Sequence, residues 1–102
     1  MTESLGNRFA DDAVRVTARI TGVVQGVGFR YWTARKADEL MLKGTVRNNS
    51  DGSVQLVAEG PVSEAEALVS WLHSPRAPGR IENIEFDVSD ATGEFDQFRI
   101  VG

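Results

Sequence analysis

Residues 22–30 read Gly22-Val23-Val24-Gln25-Gly26-Val27-Gly28-Phe29-Arg30, and they join a strand pattern to a helix pattern. Before them, residues 14–21 alternate between apolar and polar side chains, which is the period of a half-buried strand. After them, the spacing predicts a helix over residues 29–43, with Gly44 as its left-handed terminal residue. The predicted buried side of this helix carries Phe29, Thr33, Ala37 and either Leu40 or Met41.

The rest of the chain predicts three further strands, a second helix and a short terminal strand. Turn residues 49–52 separate strands over 45–48 and 53–59, which indicates a hairpin. Ser63 and Glu66 have the spacing of a capping box, and the helix after them stops before Pro75. Strands are predicted over residues 84–88 and 95–101. The predicted fold is α+β, a ferredoxin-like split βαβ sandwich (βαββαβ plus a short C-terminal strand) with two helices on one face of an antiparallel sheet.

Composition limits the classes of function. The chain has 102 residues, no cysteine, one histidine and a net charge of −4, which fits one domain and disfavours broad binding to nucleic acid or anionic lipid. Residues 1–13 read as a flexible polar arm before a domain over residues 14–102, and they lack the pattern of a signal peptide. The missing signal-peptide pattern favours a cytoplasmic protein. No apolar run is long enough to span a membrane, so we expect no membrane partner.

The loop has the composition of an anion-binding cradle. Glycines allow backbone N–H groups to turn inward, and the helix start adds unpaired N–H groups and a positive dipole end. Arg30 is a cation at the helix end that disfavours cations, which suggests that it is held there for an anion such as a phosphoryl group. Tight helix packing remains an alternative explanation for the glycines, as does a salt bridge or solvation for Arg30.

Asn48 is the second candidate. It lies two residues after Val46, so its side chain should point to the face of the strand that the helices cover. An amide in that position has to be paired, and it could receive and orient a water molecule. The alternative is an asparagine that pairs with the backbone of the hairpin turn.

The chain offers no evident nucleophile, general base or metal cluster. His73 falls near the end of the second helix, where a structural role is usual, and the acidic residues show no metal-ligand spacing. A phosphate site with this equipment suits a substrate that already carries a good leaving group, for which positioning and charge neutralisation suffice.

Two motifs together resemble the acylphosphatase family: the loop of residues 22–30, and the segments 44–48 and 51–54 (Gly-Thr-Val-Arg-Asn and Asp-Gly-Ser-Val). The resemblance extends over about residues 14–101. It implies metal-independent hydrolysis of the carboxyl-phosphate anhydride of acyl phosphates, giving a carboxylate and inorganic phosphate, without a cofactor. The chain departs from the family at Thr45, where many members have tryptophan, and this predicts looser packing around Asn48.

The resemblance also implies the site residues. Arg30 and Asn48 would be catalytic, with Arg30 holding the phosphate and Asn48 orienting the attacking water. The substrate-binding positions would be Gly22, Gln25, Gly26, Val27, Gly28, Phe29 and Arg30, with the loop acting through its backbone N–H groups. The implied partner is a small acyl phosphate, and we expect a monomer.

Two other functions share this architecture. One is a non-catalytic module that binds acyl phosphate or carbamoyl phosphate, as in hydrogenase-maturation carbamoyltransferases; a chain ending at Gly102 makes this less favoured. The other is an RNA-binding sheet, for which Arg15 and Arg19 on the first strand are suggestive but the aromatic platform is missing.

Overall fold

The computed structural model describes residues 13–102, so the predicted arm lies outside the described residues except for Ala13, which begins the first strand. The elements, in chain order, are β1 (Ala13–Val23), α1 (Phe29–Glu39), β2 (Lys43–Asn48), β3 (Val54–Pro61), α2 (Val62–Leu72), β4 (Arg80–Asp90) and β5 (Phe98–Ile100). None of the helices in this range has the length and apolar content to cross a bilayer.

The strands form one five-stranded sheet in the order β4-β1-β3-β2-β5. The pairs β1–β3, β1–β4 and β2–β3 are antiparallel, as a split βαβ arrangement requires. The alternate residues Val54, Leu56 and Ala58 of β3 have no exposed surface, so they form the inner face of that strand. The α+β, ferredoxin-like prediction is therefore confirmed.

The sheet is mixed, and the prediction of an antiparallel sheet is wrong for its last strand. β5 pairs in parallel with β2, with Gly44 opposite Phe98 and Val46 opposite Ile100. After β4 ends, residues 91–97 cross to the far edge along the same end of the sheet. A crossing at one end makes β5 run opposite to β4, and β4 already runs opposite to β2.

The first helix ends earlier than predicted, at Glu39, and its left-handed residue is Met41 (φ 59°) rather than Gly44. The Met41 N–H donates to the Asp38 carbonyl at 2.9 Å and the Leu42 N–H donates to the Ala37 carbonyl at 2.9 Å, which is a Schellman motif. Leu42 is buried after the turn, so its apolar contacts stabilise the turn despite the non-glycine residue.

Gly44 instead lies within β2. Its φ is 151°, and a Cβ atom there would collide with the backbone carbonyl of Val57 on β3. The glycine is needed for close approach of two strands, which the sequence pattern does not distinguish from a helix terminus.

The predicted capping box is absent. α2 begins at Val62, with Pro61 as the N-cap and no side-chain capping hydrogen bond. The Ser63 hydroxyl donates to its neighbour Glu64 at 2.6 Å rather than to the backbone. Because β3 continues to Pro61, the helix begins at Val62, one residue before Ser63, and Ser63 lies inside the first turn.

The core lies between the helices and one face of the sheet. Phe29, Thr33 and Ala37 of α1 are buried as predicted, whereas Met41 is exposed. α1 packs on β2 and β5, and α2 packs on β1 and β3. This packing holds the start of α1 beside the ends of β2 and β5, where the candidate residues meet.

Candidate active site

The loop between β1 and α1 turns twice through left-handed glycine conformations. Gly26 has φ 77° and Gly28 has φ 75°, and Gly28 is the N-cap of α1. No side chain caps this helix start, so its first N–H groups are not used by a capping side chain. Left-handed residues alternating with others make the backbone concavity that binds anions.

Gly22 shapes the loop from inside β1. It follows a register shift between Thr21 and Gly22, and a Cβ atom at this position would collide with the Arg80 carbonyl of β4. Its φ of 129° is a backbone conformation that favours glycine over other residues. Its location supports a role in the path of the chain and not in direct ligand contact.

The Gln25 side chain ties the loop to the β2–β3 hairpin. Its Nε2 donates to the carbonyl oxygens of Asn49 and Ser53, each at 2.8 Å. The hairpin turn is itself held by Asp51, whose carboxylate accepts from the Ser53 hydroxyl and N–H and from Arg19. These groups hold the pKa of the Asp51 carboxyl well below its usual range. The loop is therefore anchored next to the residue that follows Asn48.

Arg30 is the second residue of α1 and is half-buried. None of the ion pairs formed among residues 13–102 includes it. The first turn of α1 carries no acidic residue either. A salt bridge within the described part of the chain therefore does not explain this cation at the positive end of a helix dipole.

Asn48 is the last residue of β2 and lies on the helix-covered face, as Val46 does. Its Oδ1 is buried and has no hydrogen-bond partner among the described residues. The backbone of the hairpin turn is instead bonded by Asn49, whose N–H donates to Ser53 O at 2.8 Å. The alternative reading of Asn48 as a residue that pairs with the turn therefore finds no support at this oxygen.

Arg30 and Asn48 line one cleft of about 170 Å³. Of the other predicted site residues, Gly26, Gly28 and Phe29 also line it, whereas Gly22, Gln25 and Val27 do not. The remaining lining residues are Val24, Tyr31 and Ile100. The sequence interpretation missed these three; Tyr31 follows Arg30 directly, but nothing local connects Ile100 to the loop.

Thr45 does not pack against Asn48. In the regular register of β2 it pairs with Val57 and Arg99, on the sheet face opposite to Asn48. The expectation of looser packing around Asn48 therefore does not follow from this substitution.

Residues outside the cleft have structural partners. His73 lies at the C-terminus of α2, where its Nδ1 is 2.9 Å from the Val69 carbonyl oxygen. Within residues 13–102, no group of three His, Cys, Asp or Glu side chains is placed to hold a metal ion. Arg15 and Arg19, which had suggested an RNA surface, are paired with carboxylates of Glu59 and Asp51.

Most of the described fold matches a known protein family. The sequence model of the acylphosphatase family matches residues 16–100. This chain belongs to the acylphosphatase family. One relative, a protein named acylphosphatase from Paenarthrobacter aurescens (strain TC1), is 74% identical over 91 residues, which cover 89% of this chain and 97% of the relative.

Solved structures agree with the family assignment. The crystal structure of an acylphosphatase from Bacillus subtilis superposes with a TM-score of 0.79 at 33% identity, covering 87% of this chain and 99% of that one. Full-length HypF, in a phosphate- and nucleotide-bound form, also matches with a TM-score of 0.79 at 30% identity. That match covers 88% of this chain but 12% of HypF, so the family fold also occurs as a small part of a larger protein.

Proposed function

We propose that this protein is an acylphosphatase that hydrolyses the carboxyl-phosphate anhydride bond of small acyl phosphates by direct attack of an oriented water. The observation that carries the proposal is the shared cleft. A cation without an ion-pair partner in the described chain, Arg30, and a buried acceptor without a hydrogen-bond partner, Asn48 Oδ1, open into the same space.

Arg30 and the loop would hold the phosphoryl group. The guanidinium presents a planar pair of donors that matches two phosphate oxygens, and the N–H groups of the loop and helix start supply further donors. Charge on these oxygens has to be stabilised as the bond to the acyl oxygen breaks. Donors that are fixed before reaction are effective because they do not have to reorganise.

Asn48 would place the water. Its Oδ1 accepts a hydrogen bond from one O–H of the water, and this leaves an oxygen lone pair directed at phosphorus. Attack forms the new P–O bond while the bond to the acyl oxygen breaks, and the acyl group leaves as a carboxylate. The surplus water proton passes to a phosphate oxygen or to the departing carboxylate, so no protein base is consumed.

The leaving group explains why this equipment is sufficient. A carboxylate is a far weaker base than an alkoxide, so its departure does not require protonation by a general acid. Phosphate monoesters of alcohols are among the slowest substrates to hydrolyse without catalysis. The proposed substrate class is therefore the mixed anhydride, and the proposed reaction uses no cofactor.

The first test uses purified protein, benzoyl phosphate and a chelator such as EDTA. Wild-type protein should release phosphate faster than the spontaneous rate, and Arg30→Gln should lower kcat/KM by about 100-fold or more, as removal of an oxyanion donor does. Arg76→Gln is the matched control, since Arg76 is exposed in the loop after α2. Full turnover by Arg30→Gln, or equal loss in both variants, would contradict the assignment.

The same experiment separates the rival function. The second candidate is the alternative from the sequence, a module that binds an acyl phosphate or carbamoyl phosphate without hydrolysing it. The occurrence of the family fold as one small part of HypF shows only that the fold is also used within a larger protein. Such a module would bind the ligand and leave its hydrolysis rate at the spontaneous value. Phenyl phosphate serves as the monoester control, which the proposed enzyme should not hydrolyse appreciably.

The proposal includes a cytoplasmic monomer that acts on small molecules and not on nucleic acid. The net charge of −4 and the pairing of Arg15 and Arg19 with carboxylates support the last point, because a paired guanidinium contributes little to phosphate-backbone binding.

A further inference from the structure

We propose that Tyr31 and Ile100 form a subsite for the acyl group, and that this subsite makes the enzyme prefer apolar or aromatic acyl phosphates to acetyl phosphate. The inference rests on the proposed function and specifies its substrate class. It starts from the two cleft residues that lie outside the motif residues.

The position of Ile100 follows from the sheet. Ile100 is the residue opposite Val46 in the parallel β2–β5 pair, so its side chain lies on the helix-covered face, as that of Asn48 does. Because β5 runs parallel to β2, the C-terminal ends of both strands lie at the same end of the sheet. Ile100 therefore lies beside Asn48, although 52 positions separate them in the sequence.

Ile100 is also unusually open for its position. Phe98 and Val46, which lie on this face in the same strand pair, are 7% and 0% exposed, whereas Ile100 is 45% exposed. The strand thus keeps its inward pattern but presents its last apolar side chain to the cleft and not to the core.

Tyr31 is the other cleft residue outside the motifs. Its ring is half exposed, and it lies at the start of α1 immediately after Arg30. The ring forms a T-shaped pair with Trp32, with centroids 5.2 Å apart and planes 81° apart, and its hydroxyl accepts from Arg35 Nη1 at 3.4 Å. These contacts restrain the ring, so it can contact an acyl group with little further loss of side-chain freedom.

The cleft therefore has a polar part and an apolar part, as an acyl phosphate has a polar phosphoryl group and an apolar acyl group. Arg30, Asn48 and the glycine backbone provide donors and acceptors for the phosphoryl group and the water. Tyr31 and Ile100 provide apolar surface on the same cleft, where a non-polar acyl tail can leave water. An acetyl group is too small to use much of that surface, whereas a benzoyl group can contact both side chains.

The test compares kcat/KM for benzoyl phosphate and acetyl phosphate. The ratio of the two values should fall by about tenfold in Ile100→Ala and in Tyr31→Ala, mainly through a higher KM for benzoyl phosphate, since an apolar pocket discriminates by contact area. Val88→Ala is the matched control: Val88 is an exposed apolar strand residue on the helix-covered face, but on the opposite edge strand, β4. It should keep the wild-type ratio.

The outcomes separate this inference from the function on which it rests. If the wild type hydrolyses both substrates and neither variant changes the ratio, the subsite is wrong and the function stands. If the wild type hydrolyses neither, the proposed function fails and the subsite with it. Ile100→Thr, which keeps the β-branched shape with less apolar surface, replaces Ile100→Ala if that variant does not fold, and the same fall in ratio is required.

Discussion

The side-chain oxygen of Asn48, Oδ1, is the atom on which the proposed function depends most. A buried acceptor without a partner costs about 1–3 kcal/mol of stability, and Oδ1 of Asn48 has no partner among the described residues. Arg30 likewise stands at the helix end where its charge is unfavourable. Both side chains lower the stability of the folded protein where they lie, which is expected of side chains retained for a ligand.

Asn48→Leu separates this interpretation from a structural one. The variant removes the unpaired acceptor at similar volume, so we expect the free energy of unfolding to stay equal or to rise by about 1 kcal/mol. Turnover should fall by about 100-fold, with a smaller change in KM, because Arg30 and the loop still hold the phosphate. Urea unfolding and steady-state kinetics on the same preparation measure both quantities. A destabilised variant with normal kcat would show that Asn48 serves the hairpin.

At the scale of elements, the site depends on the link between the loop and the β2–β3 hairpin. In the proposed function the loop holds the phosphate and the end of β2 carries Asn48. The only side chain seen to bridge the loop and the hairpin within residues 13–102 is Gln25. The family resemblance places Gln25 among the binding positions. That resemblance implies a contact through the backbone N–H, and the bonding of the Gln25 side chain to two hairpin carbonyls is compatible with it.

Gln25→Met tests this link. The change leaves the Asn49 and Ser53 carbonyls without this donor, so we expect a loss of about 1–3 kcal/mol of stability. It should also lower kcat/KM by about tenfold or more, since small displacements of reacting groups are costly. Gln55→Met is the matched control, because Gln55 lies on β3 away from the loop. Similar kinetics in the two variants would mean that the bridge does not position the site.

At the scale of the whole molecule, the crossing segment between β4 and β5 determines which residues reach the cleft. Glu59 of β3 anchors it: its carboxylate accepts from the N–H groups of Thr92 and Gly93 at 2.9 and 3.0 Å, and from Arg15 Nε at 2.7 Å. Burial would raise the pKa of the Glu59 carboxyl, but these donors outweigh it and lower the pKa from 4.5 to about 2. The segment then delivers β5 to the edge beside β2.

The low pKa of Glu59 predicts a specific acid dependence of stability. Because the folded pKa lies below the unfolded value, the contribution is complete above about pH 4.5 and is lost as the pH falls towards 2. Glu59→Gln should therefore destabilise the protein by about 1–3 kcal/mol at pH 7, and this difference should shrink between these pH values. Denaturant unfolding of both proteins at pH 7 and pH 3 measures it. A difference that does not depend on pH would exclude the charged anchor.

The sequence by itself determined the order of the elements and the family, and it picked out the candidate anion-binding loop, Arg30 and Asn48. These follow from local information: side-chain period, turn chemistry and a motif of fixed spacing. The predictions from sequence were wrong where one local pattern is compatible with two tertiary structures. Gly44 is equally suited to ending a helix and to letting two strands approach closely. Ser63 can cap a helix only if β3 stops before Pro61.

Only the tertiary structure decided the direction of β5, the bridge from Gln25 to the hairpin and the arrival of Ile100 at the cleft. Each depends on which strands become neighbours, and that is settled by long-range packing of the whole sheet and not by any short segment. The local pattern thus specifies the parts that we propose bind phosphate and water. The fold of the whole chain specifies what stands beside them, and hence which acyl group we propose that the cleft prefers.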